Sequence, residues 1–237
     1  MRFQGRFASS RYGRNALSAT RARAYHPRAV ASVMDRSASG VALQIRLARE
    51  GQGDALGALL GAYRNYLRVL AATCIDRDVR GKADPSDVVQ EALLKAHQHF
   101  HDFRGTTEQE WIAWVRRILV NTLAELHRRF SLAGRRVSRE RPLETLMERS
   151  SLMLRNLVPA QGPSPSQQAQ QRELGVVLAD ALSELEPEDR EVVILRNLQE
   201  LGWNEVAERM QRSPGAVRML WTRALQRMGP LLKERMS

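Results

Sequence analysis

The chain has 237 residues, a formal net charge of +11, a pI near 10.9 and one cysteine, Cys74. One cysteine excludes an internal disulfide and a cysteine-built metal cage and fits a reducing cytoplasm. No apolar run approaches the ~20 residues that cross a bilayer, so no membrane insertion is expected, and the 5% aromatic content argues against a β-sandwich and for small helical modules.

The positive charge is uneven. Residues 1–34 hold seven arginines and no acid, so the remainder carries only +4. This start, within a basic tail over 1–36, reads as a disordered extension, as sequence upstream of a true start at Met34, or as an organelle transit peptide. A basic balance suggests a polyanionic partner.

From Val41 the pattern turns helical. Leu43, Leu47, Leu56, Leu59, Leu60, Tyr63, Leu67 and Leu70 recur at three and four, with a break at Gly51–Gly53, which predicts two helices and a short turn. DPSDVVQEALLKAHQHFHDFRG follows. Asp84 is a candidate N-cap and Pro85 suits the first helical position. Val88, Val89, Ala92, Leu93, Ala96 and Phe100 make one apolar stripe, with an expected end near Gly105. TTEQEWIAWVRRILVNTLAELHRRF predicts a fourth helix: Thr107 and Glu110 have capping-box spacing, and Trp111, Trp114, Val115, Ile118, Leu119, Thr122 and Leu126 form its inward side. A basic cluster, Arg128, Arg129, Arg135 and Arg136, follows.

Residues 132–172 lose periodicity. QGPSPSQQAQQ has linker composition, and LETLMERSSLMLRNL is a weak helix. ELGVVLADALSEL and PEDREVVILRNLQEL then predict two more helices. In LGWNEVAERMQRSPGAVRMLWTRAL, a short helix over Asn204–Met210 turns at Gln211-Arg212. Ser213 caps the next helix, with Pro214 in its first position. At about 100° per residue, Val217, Trp221, Ala224, Leu225 and Met228 fall on one side. Gly215, Arg218, Met219, Thr222, Arg223 and Gln226 fall on the other. Guanidinium, hydroxyl and amide groups on one helix face suit phosphates and base edges in a major groove, and Gly215 leaves room at a helix tip that favours phosphate. This is the pattern of a helix-turn-helix. An ordinary helical corner with a solvated basic face is the competing reading.

The segment DALSELEPEDREVVILRNLQELGWNEVAERMQRSPGAVRMLWTRALQRM resembles region 4, the −35-binding region, of bacterial sigma factors of the extracytoplasmic-function (ECF) type. The segment DPSDVVQEALLKAHQHFHDFRG with WIAWVRRILVNTLAELHRR is similar to their region 2. The resemblance implies an all-α fold of two small helical domains: a region 2 bundle over 37–131 and a region 4 helix-turn-helix over 173–237, joined by a flexible linker over 132–172. It implies a cytoplasmic, non-enzymatic factor that binds core RNA polymerase, directs it to promoters and assists DNA melting. Its partners would be promoter DNA, the clamp of the largest polymerase subunit and the flap of the second largest, with an anti-sigma factor as a further candidate. No cofactor and no metal are implied.

The residues that match the family's positions are Asp87, Gln90 and Glu91 for core polymerase. Phe103, Arg104, Trp114 and Asn121 match for the −10 element and melting, and Ser213, Gly215, Arg218, Met219, Thr222 and Arg223 for the −35 element. Stacked and extruded bases in a basic groove suit these residue types, although a core aromatic is an equal reading of Trp114. Gly202-Trp203 replaces the family's common Ser/Thr-Tyr, and Met219-Leu220 stand where Ser and Arg are frequent, so the −35 sequence read is expected to differ.

Two other functions compete. A stand-alone helix-turn-helix regulator leaves DVVQEA and the Trp-rich helix without a role. A metalloenzyme using His97, His99 and His101 lacks HExxH and a third ligand at suitable spacing; solvated histidines are the better reading.

Overall fold

A computed structural model describes residues 38–52, 54–75, 83–132, 142–157 and 165–236. The basic tail, Arg135 and Arg136 lie outside the described residues. These residues form nine α-helices and no strand: α1 Ala38–Arg49, α2 Ala55–Cys74, α3 Pro85–Gln98, α4 Glu108–Leu132, α5 Leu143–Arg155, α6 Pro165–Glu184, α7 Pro187–Val193, α8 Trp203–Met210 and α9 Pro214–Met236. The all-α expectation holds.

Local chemistry explains the helix starts. The Asp84 side chain accepts the Ser86 N–H at 2.6 Å, with Pro85 behind it. At α4 the capping box forms: Glu110 Oε2 accepts the backbone N–H groups of Thr106 and Thr107 at 2.9 and 3.0 Å, and Thr107 Oγ1 accepts Glu110 N–H at 3.3 Å. These donors, the Thr106 N–H first, hold the Glu110 carboxyl below its ordinary value. Helix α3 ends earlier than the sequence suggests, at Gln98, and Phe100–Asp102 form a separate 3₁₀ turn. Phe100 still packs inward, so the apolar stripe continues after the helix stops.

Helix α2 is the hub. Leu59, Leu67 and Leu70 are buried on it, and it packs against α1, α3, α4, α5 and α6. Helix α4 is buried more widely than one stripe predicts. Trp111, Val115, Leu119 and Leu123 are buried, but so are Ile112 and Val120, while Trp114, Ile118 and Leu126 are only partly covered. Helix α5 packs on α4 from the linker stretch, and Val120 lines a cavity with Glu144, Met147 and Glu148 of α5. Leu143, Met147 and Leu154 of α5 are buried, and this repeat drives a short helix into the groove between neighbours although its flanks have no periodicity.

Helix α5 also joins the two halves. Tyr66 of α2 shares a 2.8 Å hydrogen bond with Ser151, and Arg149 pairs with Glu200. Burial, first among the influences on it, pushes the Tyr66 phenol above its usual range. Direct contacts complete the closure: Asn65 donates to Asp180 at 2.8 Å, and Gln199 donates to the Thr73 carbonyl at 3.2 Å. No helix of the described residues is long and apolar enough to cross a membrane.

Candidate nucleic-acid interface

Helix α7 runs on into a wider π-type turn over Ile194–Leu198, and α9 packs against α6, α7 and α8. Glu205 Oε2 accepts the Gly202 N–H at 2.7 Å and so fixes the start of α8. The chain then reverses at Gln211, which takes a left-handed conformation, φ 54°, that side chains with a Cβ adopt at a cost. Ser213 Oγ accepts the Ala216 N–H at 3.2 Å and caps α9. The expected helix-turn-helix is therefore built, although α9 extends to Met236 through Pro230 rather than stopping near Met228. Leu232 packs inward beyond the proline, and Arg235 reaches back to Glu184 at 2.5 Å.

Val217, Leu220, Ala224 and Met228 form the buried side of α9. Trp221 and Leu225 are only partly buried, so Leu220 takes much of the inward role expected of Trp221. The Trp221 indole N–H instead donates to Asn197 Oδ1 at 2.8 Å, which ties α9 to the π-type turn. Its ring meets Trp203 edge-on at 5.6 Å.

Ser213, Gly215, Arg218, Met219, Thr222 and Arg223 are all exposed on one continuous face. Arg218 lies 5.7 Å from the Trp203 ring centroid, on which Arg196 also sits at 4.8 Å. Arg223 donates to Asp189 Oδ1 at 2.8 Å, and Arg227 donates to the other oxygen at 2.6 Å. Asp189 is fully buried. Its hydrogen bond raises the Arg223 pKa further, and the heads of both arginines remain half exposed to water. That Asp189 orients this face is not visible in the sequence, because a lone acid in a helix's first turn reads as an ordinary dipole partner.

The second candidate surface lies on α3, α4 and the loop between them. Arg104 and Asn121 are exposed. Phe103 is only 5% exposed, in an aromatic cluster with Trp111 at 5.5 Å and Trp114 at 5.0 Å. The ring is packed as core, so stacking a base on Phe103 requires this cluster to open. Trp114, partly exposed at the rim, is the accessible ring. Arg49 of α1 holds the loop by donating to the carbonyls of Phe103 at 3.0 Å and Gly105 at 2.6 Å. Gly105 is required by packing: a Cβ there would lie 2.6 Å from both Glu110 Cβ and the Phe103 ring. Nothing in the sequence around Arg49 announces this loop-holding role, since its partners lie more than fifty positions away.

On α3, Asp87 and Gln90 are exposed and Glu91 is half-buried. Glu91 lies 3.0 Å from Lys95 and 3.6 Å from Arg129, and Lys95 also reaches Glu125 at 2.8 Å. Desolvation acts to lower the Lys95 pKa, but the hydrogen bonds to Glu125 and Glu91 outweigh it and the net shift is upward.

Residues 62–131 match the family model for Sigma-70 region 2 and residues 176–228 that for Sigma-70, region 4. Together the matches span just over half of the chain. The chain belongs to the sigma-70 family. Among curated proteins it is 29% identical over 179 residues to the ECF RNA polymerase sigma-E factor of Haemophilus influenzae, covering 74% of this chain and 87% of that protein. It is also 29% identical over 191 residues to the ECF RNA polymerase sigma factor SigG of Mycobacterium tuberculosis, covering 73% of this chain but 49% of that protein. Two solved structures, an RsbN–BldN complex and CnrH with the cytosolic domain of CnrY, align with 79% and 81% of the chain at 20% and 19% identity. Their TM-score of 0.28 is too low for a shared arrangement of helices. As a sigma-70 protein of the ECF type, the chain is a promoter-directing factor of RNA polymerase. In family terms, the aromatic loop and α3–α4 belong to region 2, and the α8–α9 pair belongs to region 4.

Proposed function

We propose that this sigma factor works in the cytoplasm as a non-enzymatic subunit whose two surfaces engage the two promoter elements. The single observation that carries the proposal is the exposed α9 face, held out by its Trp221–Asn197 and Arg223–Asp189 bonds, in a chain that also matches region 2. Ser213, Gly215, Arg218, Met219, Thr222 and Arg223 enter the −35 major groove. Arg218 reads base edges, while Gly215 at the helix tip lets the DNA backbone come close.

Arg104, Asn121 and Trp114 line the −10 and melting surface, and Phe103 supports it from within. A strand separated from its partner would find stacking partners and cations there. Asp87, Gln90 and Glu91 dock on the clamp of the largest polymerase subunit, and region 4 on the flap of the second largest. Surfaces of this kind are also what an anti-sigma partner would cover. The division into a tail over 1–36, a region 2 domain over 37–131, a linker over 132–172 and a region 4 domain over 173–237 belongs to the same proposal.

Run-off transcription with purified core polymerase and a promoter pool tests it. Specific initiation that requires this chain is the expected result, and the selected DNA gives both elements. Duplex binding without core and with no initiation would favour a stand-alone regulator.

A further inference from the structure

Met219 is 76% exposed, more than Leu43, Leu94 or Leu152, the other large apolar side chains left exposed among the described residues. It does not serve the fold. The buried side of α9 is made by Val217, Leu220, Ala224 and Met228, and Met219 stands on the opposite side among Gly215, Arg218, Thr222 and Arg223, all exposed. Its neighbours are already oriented: Arg218 lies beside the Trp203 ring, Arg223 is held by Asp189, and the Thr222 hydroxyl donates to the Arg218 carbonyl at 3.0 Å. Met219 is thus an unbranched thioether near the middle of a polar reading face, with no strong donor or acceptor to offer.

The chemistry of the groove narrows what such a group can meet. In the major groove guanine, cytosine and adenine present acceptors and donors, whereas thymine alone adds an apolar group, its C5 methyl. Against a polar edge the thioether would strip water from a donor or acceptor and return no hydrogen bond of comparable strength. Against the methyl it buries two apolar groups, and its three rotatable bonds let it adapt to the contact. We propose that Met219 reads the C5 methyl of one thymine in the −35 element. This inference rests on the assignment of α9 as the −35-reading helix.

The test uses holoenzyme made from core polymerase and the full chain, on a promoter recovered by run-off selection. Each thymine of the −35 region, on either strand, is replaced singly by deoxyuridine, which removes only the methyl. One position is expected to lose about fourfold in affinity, the worth of one buried methyl-sized group. Holoenzyme carrying Met219→Ala should bind the thymine and deoxyuridine promoters equally, and Met219→Leu should keep part of the preference. Because Met219 lies outside the core, these variants keep the fold, which thermal melts verify. The proposal is overturned if no thymine responds, or if the response persists in Met219→Ala. If binding still depends on Arg218 and on −35 sequence while deoxyuridine has no effect, only the methyl contact is wrong. If binding ignores the −35 sequence altogether, the assignment of α9 fails and the contact fails with it.

Discussion

Gly215→Ala separates what the fold needs from what DNA binding needs. Gly215 follows Pro214 in the first turn of α9, and a Cβ built there meets nothing within 4 Å. Its φ lies outside the left-handed range, so alanine fits the backbone without strain. Glycine in a helix interior costs about 0.8–1.0 kcal/mol relative to alanine. In the first turn, where fewer intrahelical bonds are fixed, roughly half of that is expected. For a chain of this size about 1 kcal/mol moves Tm by ~2–4 °C, so the variant should melt about 1–2 °C higher. The same methyl would stand between the helix tip and the DNA backbone, and holoenzyme affinity for the promoter should fall. Gly57→Ala is the control: that glycine lies on α2, and a Cβ there also meets nothing within 4 Å. It should stabilise the chain and leave promoter affinity unchanged. Melts followed by circular dichroism and promoter binding followed by fluorescence anisotropy read the two effects. A lower Tm for Gly215→Ala would refute the packing argument, and unchanged promoter affinity would refute the close approach of DNA.

Arg218→Ala should weaken promoter binding by about 1–3 kcal/mol and relax the preference at one base pair, measured on single-base variants of the −35 element; a uniform loss across all variants would make Arg218 a phosphate contact instead. Trp111→Ala empties the centre of the aromatic cluster, where the ring is fully buried, and should cost about 3–5 kcal/mol in urea unfolding; a cost under about 1 kcal/mol would show that the cluster is not core. The Glu110 cap sets an acid dependence. Its carboxyl is held below the ordinary value, so the ionised form stabilises the fold above its unfolded pKa. That stability is lost as pH falls through the lower folded pKa. Melts from about pH 6 down to about pH 3 should therefore show the advantage of the native chain over Glu110→Ala shrinking with acid, and a constant advantage would refute the cap's role.

Much of the fold was legible along the chain because its causes are local. Asp84–Pro85, Thr107 with Glu110, and Ser213–Pro214 act within one helical turn, so starts of α3, α4 and α9 follow from residue type and spacing. The exposed face of α9 was legible for the same reason: periodicity alone separates Val217, Ala224 and Met228 from Arg218 and Thr222. The end of α3 was not, because Phe100 keeps its place in the core through a different backbone turn.

What only the tertiary structure decided is which side chains remain free to act. Sequence placed Phe103 in a loop as a base-stacking candidate and gave Trp114 a core role as an equal reading. Packing against Trp111 buries the first and leaves the second at the rim. From sequence α5 reads as a weak helix in a linker, and its burial against α2, α4 and α6 makes it a bridge. Arg49 and Asp189 passed without notice, since their partners lie 54 and 34 positions away. Spacing within a helix reports the neighbours that the backbone itself creates, whereas burial and long-range hydrogen bonds depend on which helices meet.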